Sequence, residues 1–152
     1  MPFILDKPVM EPLSVPGVLD SLGNIASYVM AAAKDADLAK KAAYNLRLAV
    51  DEIATNIIVY GYKGGDADQT ILVQATIDDQ ALTVTLEDTA PQFDPTQQAL
   101  PDTDDLNQPL ENRPIGGLGV YLAVRGVDQF QYRRSEGKNY NIFVIYKTPP
   151  TS

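Results

Sequence analysis

Cysteine and histidine are both absent from this sequence. Their absence excludes disulfides, thiolate nucleophiles, the Ser-His-Asp triad and every metal site that needs a Cys or His ligand. Catalysis would therefore have to use carboxylates, amides, hydroxyls, Lys, Arg or backbone N–H groups. A hard cation such as Mg²⁺ remains compatible with the composition because it takes oxygen ligands. The missing cysteines also fit a reducing compartment, and we expect a cytoplasmic protein.

Long apolar runs and an excess of positive charge are missing as well. No run approaches the ~18 residues of a membrane-spanning helix, and the start, MPFILDKP, lacks the basic and apolar regions of a secretory signal. Twelve basic and twenty acidic residues give a net charge of −8. This charge disfavours nucleic acids and anionic membranes, so we expect neither as a partner.

The length and the apolar pattern predict one domain of the α+β class. The 152 residues, of which 45% are hydrophobic, fit a single domain over residues 1–152. Beyond an extended, proline-broken start, helical spacing and strand alternation predict helices and strands at about Pro16–Ala33, Asp37–Tyr60, Ile71–Ile77, Leu82–Leu86, Gly116–Arg125, Gln129–Arg133 and Tyr140–Lys147. This order suggests two layers, with helices on one face of a mostly antiparallel sheet.

One segment differs in composition from the rest. Residues 92–114 read QFDPTQQALPDTDDLNQPLENRP and are rich in Pro, Asp, Asn and Gln, without sustained periodicity. Loops longer than ~15 residues within a compact domain are usually functional lids or disordered segments. Because patterned regions flank it on both sides, we interpret it as an insertion in one domain.

Glu52 and Asn56 lie four residues apart on the second predicted helix, so they share one side of it. That side borders the apolar stripe, and both residues should be half buried. If they face a pocket, Asn56 can offer an uncharged oxygen to Mg²⁺ and Glu52 can take a proton from a hydroxyl or water. The alternative is a Glu–Asn hydrogen bond on a solvated helix face.

Asp88 ends a row of inward positions on the second predicted strand. By the period of two, it shares a face with Leu82, Val84 and Leu86. A buried carboxylate needs a partner, and a ligand amine such as the exocyclic amino group of adenine is one. Alternatively, Asp88 caps the turn that follows the strand.

A glycine-rich segment, Arg113-Pro-Ile-Gly-Gly-Leu-Gly119, precedes the third predicted helix. Glycines let a backbone approach a ligand, and the N–H groups at a helix start favour phosphate. The alternative is a plain loop before a helix. The Walker and Rossmann patterns are not matched, because no Gly-Lys-Ser/Thr follows and no strand directly precedes the loop.

Together, these three segments resemble the motifs of the GHKL ATPase/kinase superfamily. The segment EIATNIIVYGY (Glu52–Tyr62) resembles its N-box, EDTAPQFDP (Glu87–Pro95) its first Gly box, and RPIGGLG (Arg113–Gly119) its second. The closest branch is the bacterial anti-sigma-factor serine/threonine kinases of the RsbW and SpoIIAB type. The resemblance covers roughly Pro12–Lys147, in the family's order.

The resemblance implies a Bergerat α/β sandwich, with helices on one face of a mixed, mostly antiparallel sheet, that binds ATP or ADP with Mg²⁺. Glu52 would be the general base, Asn56 the Mg²⁺ ligand and Asp88 the acceptor of the adenine amino proton. The acidic stretch Thr96–Asn112, within a lid at residues 94–114, would close over the nucleotide. The nucleotide-binding residues implied are Asn56, Asp88, Ala90, Arg113, Gly116, Gly117, Leu118 and Gly119.

Three positions depart from the family pattern. Tyr60 stands where the N-box usually has His, Ala90 stands at the Gly of Asp-x-Gly, and Gly137-Lys138-Asn139 replaces Gly-Thr before the last strand. Tyr60 would change the edge of the pocket. Ala90 fits if its φ is negative, with less room beside adenine.

The function expected from this resemblance is a protein serine/threonine kinase that acts as an anti-sigma factor and phosphorylates a STAS-type anti-anti-sigma protein. A sigma factor and a second copy of the chain are further expected partners. Two alternatives stay open. One is a nucleotide-binding, partner-switching module without kinase activity, and the other is a slow ATP hydrolase in which Glu52 activates water.

Overall fold

The computed structural model describes residues 10–97 and 117–147. Within them lies a five-stranded sheet of strand order β1-β2-β3-β5-β4, in which every neighbouring pair is antiparallel. The strands are β1 (Leu13–Gly17), β2 (Asp66–Ile77), β3 (Ala81–Asp88), β4 (Gln129–Ser135) and β5 (Lys138–Tyr146). The mixed pairing that the family resemblance implies is therefore not found among the described strands.

The described residues also form three α-helices and three single turns of other helical types. The α-helices are α1 (Leu22–Asp35), α2 (Lys40–Asn56) and α3 (Gly117–Arg125). A 3₁₀ turn at Leu19–Ser21 leads into α1, a second lies at Pro95–Gln97, and a π-helical turn at Ile57–Gly61 follows α2. None of the described helices is long and apolar enough to cross a membrane.

The core lies between the helices and one face of the sheet. Alternate strand residues are fully buried, among them Ile71, Val73 and Leu86, while their neighbours are more exposed. Leu46 and Ile53 of α2 pack into the same cluster. Burial on one face only confirms the predicted two-layer α+β architecture.

The first predicted helix begins later than expected. Pro16 belongs to β1, where it pairs with Thr70, instead of starting a helix. β1 lies at the edge of the sheet, and an edge strand can hold a proline because one side of it needs no N–H donor. The chain then turns, Ser21 Oγ donates a 2.7 Å hydrogen bond to the carbonyl of Pro16, and α1 starts at Leu22.

The second helix also differs from its predicted end at Tyr60. Regular α-helix stops at Asn56, and the next five residues form the π-helical turn. The amide of Tyr62 donates to the carbonyl of Ile57, five residues earlier, at 2.8 Å, which is the π pattern. Apolar periodicity does not distinguish this wider turn from an α-helical one, so the predicted helix includes most of the turn.

Tyr62 ties the segment after this turn to the sheet. Its ring is buried, and its hydroxyl donates to the carbonyl of Thr70 at 2.8 Å and accepts from the amide of Thr89 at 3.0 Å. A Cβ on Gly17 would lie 2.5 Å from the Tyr62 ring, so glycine is needed there. Tyr62 thus joins β1 and β2 to the residue that follows β3.

We expect Tyr62→Phe to lower the free energy of unfolding by about 1 kcal/mol, because two part-buried backbone groups lose their hydrogen-bond partner. Urea unfolding followed by circular dichroism measures the change. Tyr44→Phe is the matched control, since Tyr44 is 55% exposed. Equal stability of the two variants would show that the hydrogen bonds of the Tyr62 hydroxyl do not stabilise the fold.

Candidate functional site

A cavity of about 230 Å³ lies between the end of α2 and the ends of β3 and β5. Ile53 and Ile57 form part of the apolar wall of this cavity, and Asn56 and Asp88 contribute polar groups to it. The π-helical turn directs Tyr60 to the same cavity. Apolar walls with few polar groups are typical of a small-molecule site.

Asp88 is the most deeply buried charged group of this cavity, at 2% exposure. One carboxylate oxygen, Oδ1, accepts from Asn139 Nδ2 and from the amide of Ala90, each at 2.9 Å. The other oxygen, Oδ2, is buried and has no hydrogen-bond partner among the described residues. Asp88 therefore caps the following turn with one oxygen and keeps the other available for a donor.

Burial raises the pKa of Asp88, and the hydrogen bonds from Asn139 and Ala90 oppose this shift. A buried carboxylate oxygen without a partner carries the full loss of hydration. A ligand N–H group would restore the missing hydrogen bond.

Ala90 is accommodated by a glycine that faces it. A Cβ on Gly61 would lie 2.7 Å from the Ala90 methyl, so the two residues pack together only because Gly61 has no side chain. Ala90 is not among the described residues with positive φ, so it needs no glycine-like backbone. The departure from the family's Asp-x-Gly pattern therefore does not disturb the backbone here.

Two aromatic rings lie at the edge of the cavity. Tyr60 is 48% exposed and Phe93 is 37% exposed, and both contribute to the lining. Aromatic faces in such a position can stack on the ring of a planar ligand. The prediction that Tyr60 forms the pocket edge agrees with this position.

Glu52 lies in a second cavity, of about 250 Å³, between α2 and α3. Its carboxylate lies against the backbone of Gly119, where an added Cβ would collide with Oε2. Burial raises the pKa of Glu52, and the negative charge of Asp51 raises it further. A half-buried carboxylate with a raised pKa is suited to accept a proton near neutral pH.

Asn56 lies on the same helix as Glu52 but lines the first cavity. It is 8% exposed, more buried than the sequence predicted, and it lines the first cavity. Glu52 lies one turn earlier on α2, roughly 6 Å along the helix axis. Asp88 and Asn56 thus line the first cavity, and Glu52 and Gly119 line the second.

The remaining predicted site residues are only partly covered. Gly117 and Leu118 lie in the first turn of α3. Arg113 and Gly116 lie outside the described residues, and so does most of the predicted lid at 94–114, from residue 98 onward. Their assignment to nucleotide binding stays a prediction.

Two functional candidates were missed by the sequence predictions. Asn139 and Asn141 occupy inward positions of β5, are buried, and line the cavity. The period of two that singled out Asp88 could have found them, since Phe143 and Ile145 continue the same inward row. A polar residue in an otherwise apolar inward row of a strand indicates a candidate site residue.

The described geometry agrees with the comparison of the whole chain with protein families. The model of the histidine kinase-like ATPase domain matches residues 15–145. The chain therefore belongs to this family.

Among the curated relatives are the serine-protein kinases RsbW of Bacillus mycoides (strain KBAB4) and Bacillus cereus (strain G9842). Each is 30% identical over 94 residues, which are 61% of this chain and 58% of the relative. The match thus spans less than two thirds of those proteins. A crystal structure of RsbU and RsbW domains from Mycobacterium tuberculosis superimposes with a TM-score of 0.61 at 12% identity, over 92% of this chain and 34% of that one. This likeness supports the fold.

We expect Asp88→Asn to leave the free energy of unfolding unchanged or higher at pH 8. Asparagine keeps an oxygen for Asn139 and Ala90 but removes the buried charge. Because the pKa of Asp88 is raised by folding, its ionised form opposes folding above that pKa, and the penalty disappears as pH falls. The advantage of the variant over the wild type should therefore shrink toward pH 5.

Urea unfolding at both pH values tests this expectation, with Asp79→Asn as the control because Asp79 is exposed in the β2–β3 turn. A variant that is less stable than the wild type at pH 8 would mean that the charge of Asp88 stabilises the fold.

Proposed function

We propose that this chain binds ATP with Mg²⁺ and transfers phosphate to a serine or threonine of a STAS-type anti-anti-sigma protein. The observation that carries the proposal is the buried, unpaired Oδ2 of Asp88 in an apolar cavity. It is supported by membership of the histidine kinase-like ATPase family and by relatives named serine-protein kinases. A sigma factor and a second copy of the chain remain proposed partners.

Adenine fits the first cavity by its hydrogen-bond chemistry. Its exocyclic amino group can donate to Asp88 Oδ2, which lacks a donor in the described structure. Its flat ring can lie between the apolar wall at Ile57 and the exposed rings of Tyr60 and Phe93. Burial of the base would then satisfy the carboxylate and cover apolar surface at once.

The phosphates would extend along α2 toward Glu52. The side-chain oxygen of Asn56 would hold Mg²⁺, which, when bound, neutralises phosphate charge during transfer. Backbone N–H groups of the glycine-rich segment, Gly116, Gly117 and Gly119, would bind phosphate oxygens at the start of α3, and Arg113 would add positive charge. The segment 94–114 is proposed as the lid.

Glu52 would accept the proton of the substrate serine or threonine hydroxyl while that hydroxyl oxygen bonds to the γ-phosphorus of ATP. The bond between the γ-phosphorus and the bridging oxygen breaks, and ADP leaves. The raised pKa and partial burial of Glu52 favour this role. The contact with the Gly119 backbone holds the carboxylate beside the proposed phosphate site. Any side chain at position 119 would displace it.

ATP with Mg²⁺ should bind the wild-type chain in calorimetric titration, and Asp88→Asn should weaken binding by at least about tenfold, or about 1.4 kcal/mol. The amide group of the substituted side chain can turn its own N–H donor toward the adenine amino group, where an acceptor is needed. Asp79→Asn, which removes the same charge from an exposed turn, should bind like the wild type. Absence of ATP binding by the wild type would remove the proposal and leave an interaction domain.

Glu52→Gln should lower phosphate transfer by about 10²-fold or more while ATP affinity stays close to that of the wild type, because general-base catalysis contributes about that much. Transfer of radiolabelled phosphate from ATP to a purified STAS-domain protein measures it. Glu11→Gln, at an exposed position, is the matched control.

The outcomes of this assay separate the three functions. ATP binding without transfer to any STAS protein would support a nucleotide-dependent partner switch. ATP turnover at the same rate with and without a partner would support a hydrolase. Loss of ATP binding in Glu52→Gln would contradict the role given to Glu52.

A further inference from the structure

Asn139 and Asn141 have the same side chain and face the same side of the sheet, but only Asn139 has its hydrogen-bonding capacity used. Asn139 Nδ2 donates to Asp88 Oδ1 and to the carbonyl of Ala90, each at 2.9 Å. Its Oδ1 accepts from Arg134 at 3.0 Å and from the hydroxyl of Tyr132. Asn139 is therefore explained as the residue that holds Asp88 in place.

Asn141 has no such explanation within the fold. Its side chain is 3% exposed, and its Oδ1 has no hydrogen-bond partner among the described residues. In the sheet it stands opposite Leu86 and is followed inward by Phe143, so an apolar residue would suit the position. A buried amide oxygen without a partner destabilises a fold, because it has lost its hydrogen bond to water and has gained none in return.

The unpaired oxygen of Asn141 belongs to the same cavity as the unpaired oxygen of Asp88. Both residues line it, and they are the two buried side chains with an unpaired acceptor in the described structure. They lie on adjacent strands, with Asn141 two residues along β5 from the partner of Asp88. One ligand group that carries two hydrogens could pair with both.

We propose that Asn141 is a specificity residue that, together with Asp88, selects a purine with a 6-amino group over a purine with a 6-oxo group. The two hydrogens of the adenine amino group would be shared between Asp88 Oδ2 and Asn141 Oδ1. The carbonyl of a 6-oxo purine would instead place a third acceptor against Asp88 Oδ2 and against Asn141 Oδ1 as that oxygen is oriented in the structure. Sites built to donate to or accept from a substrate group reject analogues that lack it.

The test compares three nucleotides, ATP, N6-methyl-ATP and ITP, on the wild type and on Asn141→Leu, by calorimetry with Mg²⁺. Leucine has a similar size and removes the amide. We expect Asn141→Leu to bind ATP about tenfold more weakly, the size of one lost hydrogen bond to a buried group. The preference for ATP over ITP should fall by a similar factor.

N6-methyl-ATP gives an independent readout, because it keeps one amino hydrogen and replaces the other by a methyl group. It should bind the wild type more weakly than ATP but bind Asn141→Leu about as well as ATP does, since the methyl group then meets leucine. Asn24→Leu, on the exposed side of α1, is the control and should change none of the affinities.

The unfolding free energy of Asn141→Leu should rise, since an unpaired buried amide is removed. If Asn141→Leu does not fold, Asn141→Thr keeps an oxygen at shorter reach and should weaken ATP binding by a smaller factor, with a reduced preference over ITP.

Because adenine binding is itself proposed above, the controls separate the two failures. Suppose that Asp88→Asn weakens ATP binding, but that Asn141→Leu or Asn141→Thr changes neither the ATP affinity nor the preference for ATP over ITP. This result would overturn the role of Asn141 alone. A wild type that binds none of the nucleotides would overturn both proposals.

Discussion

The pair of hydrogen bonds that Asp88 accepts from Asn139 and from the Ala90 amide determines the geometry of the candidate site. These bonds use one oxygen and orient the carboxyl group, so the other oxygen is left without a partner among the described residues. Asn139 in turn is held by Arg134 of β4. The orientation of one buried carboxylate therefore depends on three strands, β3, β5 and β4, and cannot be kept if their register changes.

Two carboxylates with raised pKa values line different cavities, and the neutral amide of Asn56 lines the same cavity as Asp88. Burial is the main cause of the shift in both Asp88 and Glu52. The two carboxylates have different surroundings and suit different chemistry. Asp88 is buried beside fixed hydrogen-bond donors, whereas Glu52 is half-buried against the backbone of Gly119. Because Glu52 and Asn56 both belong to α2, this helix sets the distance between them.

Local pattern predicted most of the fold and part of the site. The alternation on β3 predicted that Asp88 is buried, and the helical spacing placed Glu52 and Asn56 on one side of α2, as the structure has them. Local pattern did not predict the strand at Pro16, because an edge strand with a proline has weak strand signals. It also could not predict that Gly61 meets Ala90, since contacts between distant segments follow from the assembled sheet and helices. The assignments of Arg113, Gly116 and the lid remain predictions.

The close packing of Gly61 against Ala90 restricts how this corner of the molecule can change during evolution. A larger residue at either position needs a small one at the other, so the effect of a substitution at one site depends on the residue at its partner. The methyl group of Ala90 is therefore compatible with glycine after Tyr60 and not with a larger residue there. Such epistasis makes an alanine in the first glycine box an informative marker: relatives that carry it should also keep a glycine in the turn after the helix.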